Sequence, residues 1–211
     1  MSDPSPQEKK TVYLVRHAQS LQNVAVAQFY FNGDWAALGR VIRLGYDAAL
    51  SETGVAQLKE AAETLGANEA DGGFAKQRGI ELVAHSPYQR AKLTAQALFP
   101  KYLGSERMVE LPPMHERTVT EYFFPALMEE RVRQVRRWLE GRSEHTIALV
   151  GHGQFFKMCM GGGQKQLRNV SIMETTYSAE TGFTAADAPV TFAGYPEPDV
   201  RRKEESPISD R

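Results

Sequence analysis

TVYLVRHAQSLQN, residues 11–23, is the stretch on which the fold turns. Its first five residues are apolar and largely β-branched, the pattern of a short buried strand, and Arg16 and His17 follow without a break. Two similar runs, residues 80–84 and 146–150, also end in polar turns that carry a histidine. Helical spacing lies between and around them. Val55, Leu58, Ala62 and Leu65 follow Ser51; Ala91, Thr94, Ala95 and Leu98 precede Pro100; Met128, Val132, Val135 and Leu139 precede Gly141. Intervals of three and four put each set on one helix face. Strands that alternate with helices predict an α/β fold, with a largely parallel central sheet flanked by helices and ligands bound outside the carboxyl ends of the strands. Residues 170–177 and 190–192 are expected to complete the sheet or lie on its edge.

Composition narrows the function classes. A chain of 211 residues is long enough for one large α/β domain, and 42% hydrophobic with 24% charged residues is ordinary for a globular protein. A net charge of -1 gives no reason to expect a polyanionic partner, so neither nucleic acid nor a membrane surface is expected. The single cysteine, Cys159, excludes an intramolecular disulfide framework and any multi-cysteine metal site, and is expected to be a small core residue. No run approaches the roughly 20 apolar residues of a membrane span, and residues 1–10 lack the apolar core of a signal peptide, so a cytoplasmic location is expected. Residues 1–10 and 196–211 are charged and proline-bearing and read as flexible tails on a single domain spanning residues 11–195.

Three polar clusters carry the chemistry. Arg16 and His17 leave the first strand together, with Asn23 shortly after. At the second strand, AHSPYQRAKLTA puts Ser86 and Pro87 in a turn and Arg90 in the first turn of a helix, whose amino end favours anions. At the third, LVGHGQFF sets His152 between Gly151 and Gly153, where the backbone can be approached closely by a ligand. A lone histidine or arginine is usually a surface or hydrogen-bonding residue. Three such sites at corresponding strand ends share one reading: an anion held by two guanidiniums, which match phosphate oxygens in a bidentate manner, and by two imidazoles.

These residues resemble the histidine phosphatase superfamily, whose fold is the three-layer phosphoglycerate-mutase-like one. LVRHAQSLQN, SPYQRAKLTAQAL and LVGHG occur in the same order and strand context, and the likeness runs from residue 11 to about 183, through YDAALSETGVAQL and RNVSIMETTY. The resemblance implies that His17 is a nucleophile that becomes a phosphohistidine. It also implies that Arg16, Arg90 and His152 bind the phosphoryl group and that Asn23 and Gly153 lie among the phosphate and substrate contacts. The family's proton donor falls on Glu116 in LPPMHERT, with Glu121 in reserve. Neutral imidazole is a competent nucleophile when an acceptor holds its other N–H, and guanidiniums with a protonated His152 can take the charge-neutralising part that metal ions play elsewhere. No metal and no cofactor are expected.

Two departures from the family pattern are Ala18, in place of the usual glycine, and Gln19, in place of a frequent glutamate. Residues 24–46 form a longer segment than a compact mutase needs. Its aromatics, Phe29, Tyr30, Phe31 and Trp35, are expected to pack in a core or lid, whereas Arg40 and Arg43 suggest a second anionic group on the substrate. Other phosphate chemistries lack their signatures. Six residues after Cys159 stands Lys165 rather than the arginine of a thiolate phosphatase, and GxxxxGK[ST] and HExxH are absent. Gly161 to Gly163 read as a helix stop, while His85 and His145 read as structural or surface residues and His115 as a possible pocket neighbour. The expected activity is metal-independent phosphomonoester hydrolysis on a phosphorylated small molecule or phosphopeptide. The alternatives are a phosphoglycerate-type mutase, which needs further anion contacts, and a non-catalytic phospho-ligand-binding member of the same fold.

Overall fold

The computed structural model of the protein describes residues 9–70 and 72–196. The chain order is β1 (Lys10–Arg16), α1 (Leu21–Asn32), α2 (Trp35–Leu44), α3 (Glu52–Thr64), α4 (Gly73–Gln77), β2 (Leu82–His85), α5 (Gln89–Leu98), β3 (Met108–Glu110), α6 (Val119–Phe123), α7 (Pro125–Glu140), β4 (Thr146–Gly151), α8 (Gly153–Cys159), β5 (Ile172–Ser178) and β6 (Gly182–Phe192). A 3-10 turn at Pro112–Met114 follows β3. Among the described residues, six strands form one sheet in the order β3-β2-β4-β1-β5-β6. The first four in that order are mutually parallel, and β5 and β6 add an antiparallel hairpin on the β1 side.

Side chains alternate across the sheet with the strand period of two. Tyr13, Val15, Val83, Ala148 and Val150 face a cluster completed by Leu58, Ala61 and Ala62 of α3 and Ala95 and Leu98 of α5. Val12, Leu14, Leu82, Ala84, Ile147 and Leu149 face a second cluster, made by Met128, Val132, Val135 and Leu139 of α7 and Phe155, Phe156 and Cys159 of α8. The result is the expected three-layer arrangement.

Several details differ from the sequence reading. The buried face of α3 is Gly54, Gln57, Leu58, Ala61 and Ala62, and Val55 points outward, because the amino end of this helix lies against the backbone of Gln19 rather than over the sheet. The strand expected at 170–177 begins only at Ile172. Val170 holds a positive φ of 61°, a costly backbone for a β-branched residue, and its N–H bonds back to Arg16 and His17. Lys10, placed in the amino-terminal tail, starts β1, and its ammonium is held by the carbonyls of Arg142 at 2.7 Å and Glu144 at 2.9 Å. Residues 1–8 and 197–211, the rest of both expected tails apart from residues 9 and 196, lie outside the described residues. Gly161 and Gly162 both have positive φ and end α8, as a glycine stop should. Among the described residues, no helix is long and apolar enough to cross a membrane.

Residues 21–44 form a helical hairpin instead of core. The cap of α1 is a box in which Ser20 and Asn23 satisfy each other's backbone, and Asp34 caps α2 through the amides of Ala36 and Ala37. The hairpin buries little more than Ala25, Ala27 and Ala37, and its helices pack chiefly on each other. Tyr30, Phe31, Trp35 and Ile42 are exposed, so Tyr30, Phe31 and Trp35 are not core, whereas Phe29 is half-buried against Tyr30 and Trp35. Phe29, Tyr30 and Phe31 line a cavity, in keeping with the lid alternative.

Candidate active site

The four parallel strands deliver their polar ends to one place. His17 follows β1, Arg90 stands in the first turn of α5 beyond β2, Glu116 follows the turn after β3, and His152 follows β4. Arg16, His17, Arg90 and His152 are all buried. The imidazoles of His17 and His152 lie 5.0 Å apart, and the donor atoms of His17, Glu116 and His152 fall within 4.8 Å of one another. Rigid strand ends hold groups at this separation better than loops would.

The protonation of His17 follows from its neighbours. Its Nδ1 lies 2.6 Å from the carbonyl of Ala18, which can only accept, so Nδ1 carries the proton. Nε2 is then the lone-pair nitrogen, and Arg90 Nε donates to it at 3.3 Å. Burial, together with the charges of Arg90 and Arg16, holds the His17 pKa well below the ordinary value and keeps the ring neutral. The loop is clamped from several sides. Ala18 N donates to Thr94 Oγ1 at 3.1 Å, Gln19 N donates to Gln57 Oε1 at 3.0 Å, and Asn169 Nδ2 donates to the His17 carbonyl at 3.0 Å.

His152 is held by its other ring nitrogen. Its Nε2 lies 2.7 Å from Ser86 Oγ, while Nδ1 is buried with no hydrogen-bond partner among the described residues. Burial first, then the neighbouring His17, Arg90 and Arg16, push its pKa well down. The protein groups around His152 thus favour its neutral ring, and the imidazolium expected during transfer would draw on the charge of a bound dianion. Gly151 and Gly153 are likewise explained by the protein itself. A Cβ on Gly151 would meet Phe156 at 2.9 Å and Met114 at 3.1 Å, and one on Gly153 would meet Gln166 at 2.3 Å. The close approach they permit is that of neighbouring side chains.

Of the two carboxylates, Glu116 is in the site and Glu121 is not. Burial pushes the Glu116 carboxyl up from the usual range, against a bond from Arg117 N at 2.9 Å and the pull of Arg90 and Arg16. Glu121 is buried in a bidentate pair with Arg131, with both contacts at 2.7 Å, and also caps α6 through Thr118 N. Asn23 lines the cavity, but its Oδ1 is committed to Ser20 N at 3.0 Å, which leaves the amide nitrogen to face a ligand. Arg40, read as contacting a second anionic group, instead turns outward to Asp34 at 2.7 Å and Gln28 at 2.9 Å.

A cavity of about 570 Å³ opens over this cluster and is lined by Arg16, Asn23, Arg90, Glu116 and Arg117. Further up, its walls come from α1, α2 and the start of α6. Sequence reasoning missed Arg117, whose only signal was its adjacency to Glu116. It also missed Tyr88, whose ring stacks edge-on against His152 at 5.3 Å and lies under the Arg90 guanidinium at 4.9 Å. His115 adjoins this pair, 6.0 Å from Tyr88. The His17, Glu116 and His152 donors could in principle ligate a metal, but the two guanidiniums beside them favour an anion over a cation.

A largely parallel α/β sheet with paired histidines and arginines converging at its carboxyl edge sets a candidate anion site where such sheets bind ligands. The chain belongs to the histidine phosphatase superfamily, branch 1, whose family model matches residues 12–122. Solved structures share the fold. Phosphoglycerate mutase from Bacillus anthracis is 14% identical over 85% of this chain and 92% of its own, with a TM-score of 0.54. A mycobacterial glucosyl-3-phosphoglycerate phosphatase, in a complex with VO3, is 18% identical over 84% and 97%, with a TM-score of 0.53. Bacillus stearothermophilus YhfR is 16% identical over 86% and 98%, with a TM-score of 0.55. No curated protein sequence matches the chain.

Proposed function

We propose that the protein is a metal-independent phosphomonoester hydrolase that works through a phosphohistidine on His17. The observation that carries this reading is the fixed tautomer of His17: Nδ1–H is bound to the Ala18 carbonyl and Nε2 is directed, as a lone pair, toward Arg90 and Glu116. In the first step Nε2 attacks phosphorus as the bond to the ester oxygen breaks, and protonated Glu116 gives its proton to the departing alkoxide. Arg16 and Arg90 take the charge of the transferring oxygens, and His152 joins them once a dianion favours its imidazolium. In the second step water attacks phosphorus, Glu116 accepts a proton from it, and the P–N bond breaks to return neutral His17.

Hydrolysis is favoured over a mutase reaction because the cavity offers little to hold a bisphosphate while it reorients. Beyond Arg16 and Arg90, the cation lining it among the described residues is Arg117, and Arg40 is spent on Asp34. Binding alone would not require a half-buried Glu116 beside the nucleophile, with its carboxyl pKa raised by desolvation.

The test is rapid quenching with a labelled phosphomonoester. An acid-labile, base-stable adduct is expected on His17 and none on His17→Ala. Single-turnover transfer by Glu116→Gln should fall about 10²–10⁴-fold for an alkyl phosphate and far less for p-nitrophenyl phosphate, whose leaving group departs unaided. Label on serine, aspartate or Cys159, or equal losses for both substrates, would overturn the mechanism.

A further inference from the structure

We infer that the cavity above the phosphate cluster takes a large apolar alcohol, so that the substrates are phosphomonoesters of extended alkyl or aryl alcohols; this rests on the phosphatase reading. The phosphate end is defined by Arg16 and Arg90, with Glu116 where the leaving oxygen must be protonated. Beyond Glu116 the wall changes character. Val26 and Phe29 of α1, Leu38 and Val41 of α2, and Val119 and Tyr122 of α6 line the path outward. Tyr30 and Tyr122 stand at the mouth, 75% and 57% exposed. An apolar surface open to water on a hairpin that packs mostly on itself is costly unless something covers it in use. Its continuity with the phosphate cluster identifies the cover as the rest of the substrate.

The polar groups of the cavity fit this assignment. Arg40 is paired outward with Asp34 at 2.7 Å and does not line the cavity, and neither does Arg43. Arg117 does line it, but its guanidinium sits over the Tyr122 ring at 4.0 Å and donates to the Glu121 carbonyl at 3.1 Å. A stacked, weakly hydrated guanidinium extends a planar wall that an aromatic or alkyl group can cover. The amides of Gln154 and Gln166 stand on another part of the lining and bond to each other at 3.2 Å.

Calorimetric titration of the full chain with methyl-, butyl- and hexylphosphonic acid, and with 3-phosphonopropionic acid, tests this without requiring turnover. Affinity should rise up to about fourfold for each methylene that is buried, and at least tenfold from methyl to hexyl. The terminal carboxylate of 3-phosphonopropionic acid should bind more weakly than the butyl chain. Leu38→Asn should flatten the chain-length dependence, and Ile42→Asn, exposed on the same helix and outside the cavity, should leave it intact. Equal affinity across the chain lengths, tighter binding of the carboxylate, or a Leu38→Asn protein with the unaltered dependence would each overturn the assignment. His17-dependent hydrolysis of p-nitrophenyl phosphate, measured alongside, separates the two readings. Turnover with no chain-length dependence sinks the apolar pocket alone. Chain-length dependence with no turnover supports the pocket and sinks the phosphatase. If no phosphonate binds, both readings fall.

Discussion

At the scale of single residues, what distinguishes the two candidate acids is their partners. Glu116 and Glu121 lie five positions apart in LPPMHERTVTEY, and either could be a proton donor by type. Arg131 holds one of them. It takes both oxygens of Glu121 at 2.7 Å and also donates to the carbonyls of Pro113 and His115, so one guanidinium ties α7 to α6 and to the turn that carries Glu116. Glu121→Gln should therefore act on stability. Removing one partner of a buried ion pair costs about 3–5 kcal/mol, and the amide, which can still accept a bond, should cost toward the lower end. Urea denaturation should show that loss, while single-turnover rates for alkyl and p-nitrophenyl phosphates should change by the same factor. A selective loss with the alkyl substrate would move the acid from Glu116 to Glu121. Cys159 shows the same logic in a simpler case: its thiol, buried among the aromatic rings of α8, is pushed up to about 12 and has no use as a nucleophile.

At the scale of elements, the amino end of α3 is part of the site without touching it. Ser51 caps α3, and both its N–H and its hydroxyl bond to Gln19, the N–H to the carbonyl at 3.0 Å and the hydroxyl to Oε1 at 2.8 Å. Gly54 makes this contact possible, since a Cβ there would lie 2.0 Å from the Gln19 carbonyl oxygen. Gly54→Ala must push α3 away from the loop whose Ala18 carbonyl orients His17. Overpacking of this kind costs about 1–3 kcal/mol, and a displacement of about 1 Å at a reacting group can cost on the order of 10²-fold in rate. The expected result is a lowered melting temperature together with at least a tenfold slower formation of the phosphohistidine. Wild-type kinetics in that variant would show that the loop is held without α3. The sequence marked this helix by its spacing, and Leu58 and Ala62 are buried as expected, but Val55 is exposed, because the contact at the amino end is with backbone far away in the chain, to which hydrophobic periodicity is blind.

At the scale of the whole molecule, the buried site makes stability depend on pH. His17 and His152 have folded pKa values below the 6.5 of the unfolded chain, so just below pH 6.5 the unfolded state binds more protons. Their contribution is complete above that pH and is lost as pH falls through the window beneath it, at about 1.4 kcal/mol per pH unit for each histidine. Glu116 works in the opposite sense. Its folded pKa lies above the unfolded 4.5, so its contribution is present at low pH and lost as pH rises from 4.5 to the folded value. With two groups against one, acidification from pH 7 to 5.5 should lower the melting temperature by several degrees, at about 2–4 °C per kcal/mol for a chain of this size. His152→Asn should show a shallower slope. A melting temperature constant across that range would mean that the histidines do not titrate differently in the folded and unfolded chain.

The division between what sequence determined and what tertiary structure decided follows from the range of the forces involved. Strand, helix and turn signals act within a few residues, so three strands, three core helices and the polar ends that place Arg16, His17, Arg90 and His152 together were legible in the chain itself. So was the family, because its pattern is local at each strand end. Folding decided everything that depends on a partner distant in sequence. It buried His17 against Arg90 and His152 against Ser86, which pulls both pKa values down, and it left Glu116 lining the cavity while tying Glu121 to Arg131. It turned Arg40 outward to Asp34 and raised residues 21–44 into an exposed hairpin over the cavity. Protonation and solvent exposure are properties of an assembled environment, and no stretch of sequence contains that environment until the strand ends meet.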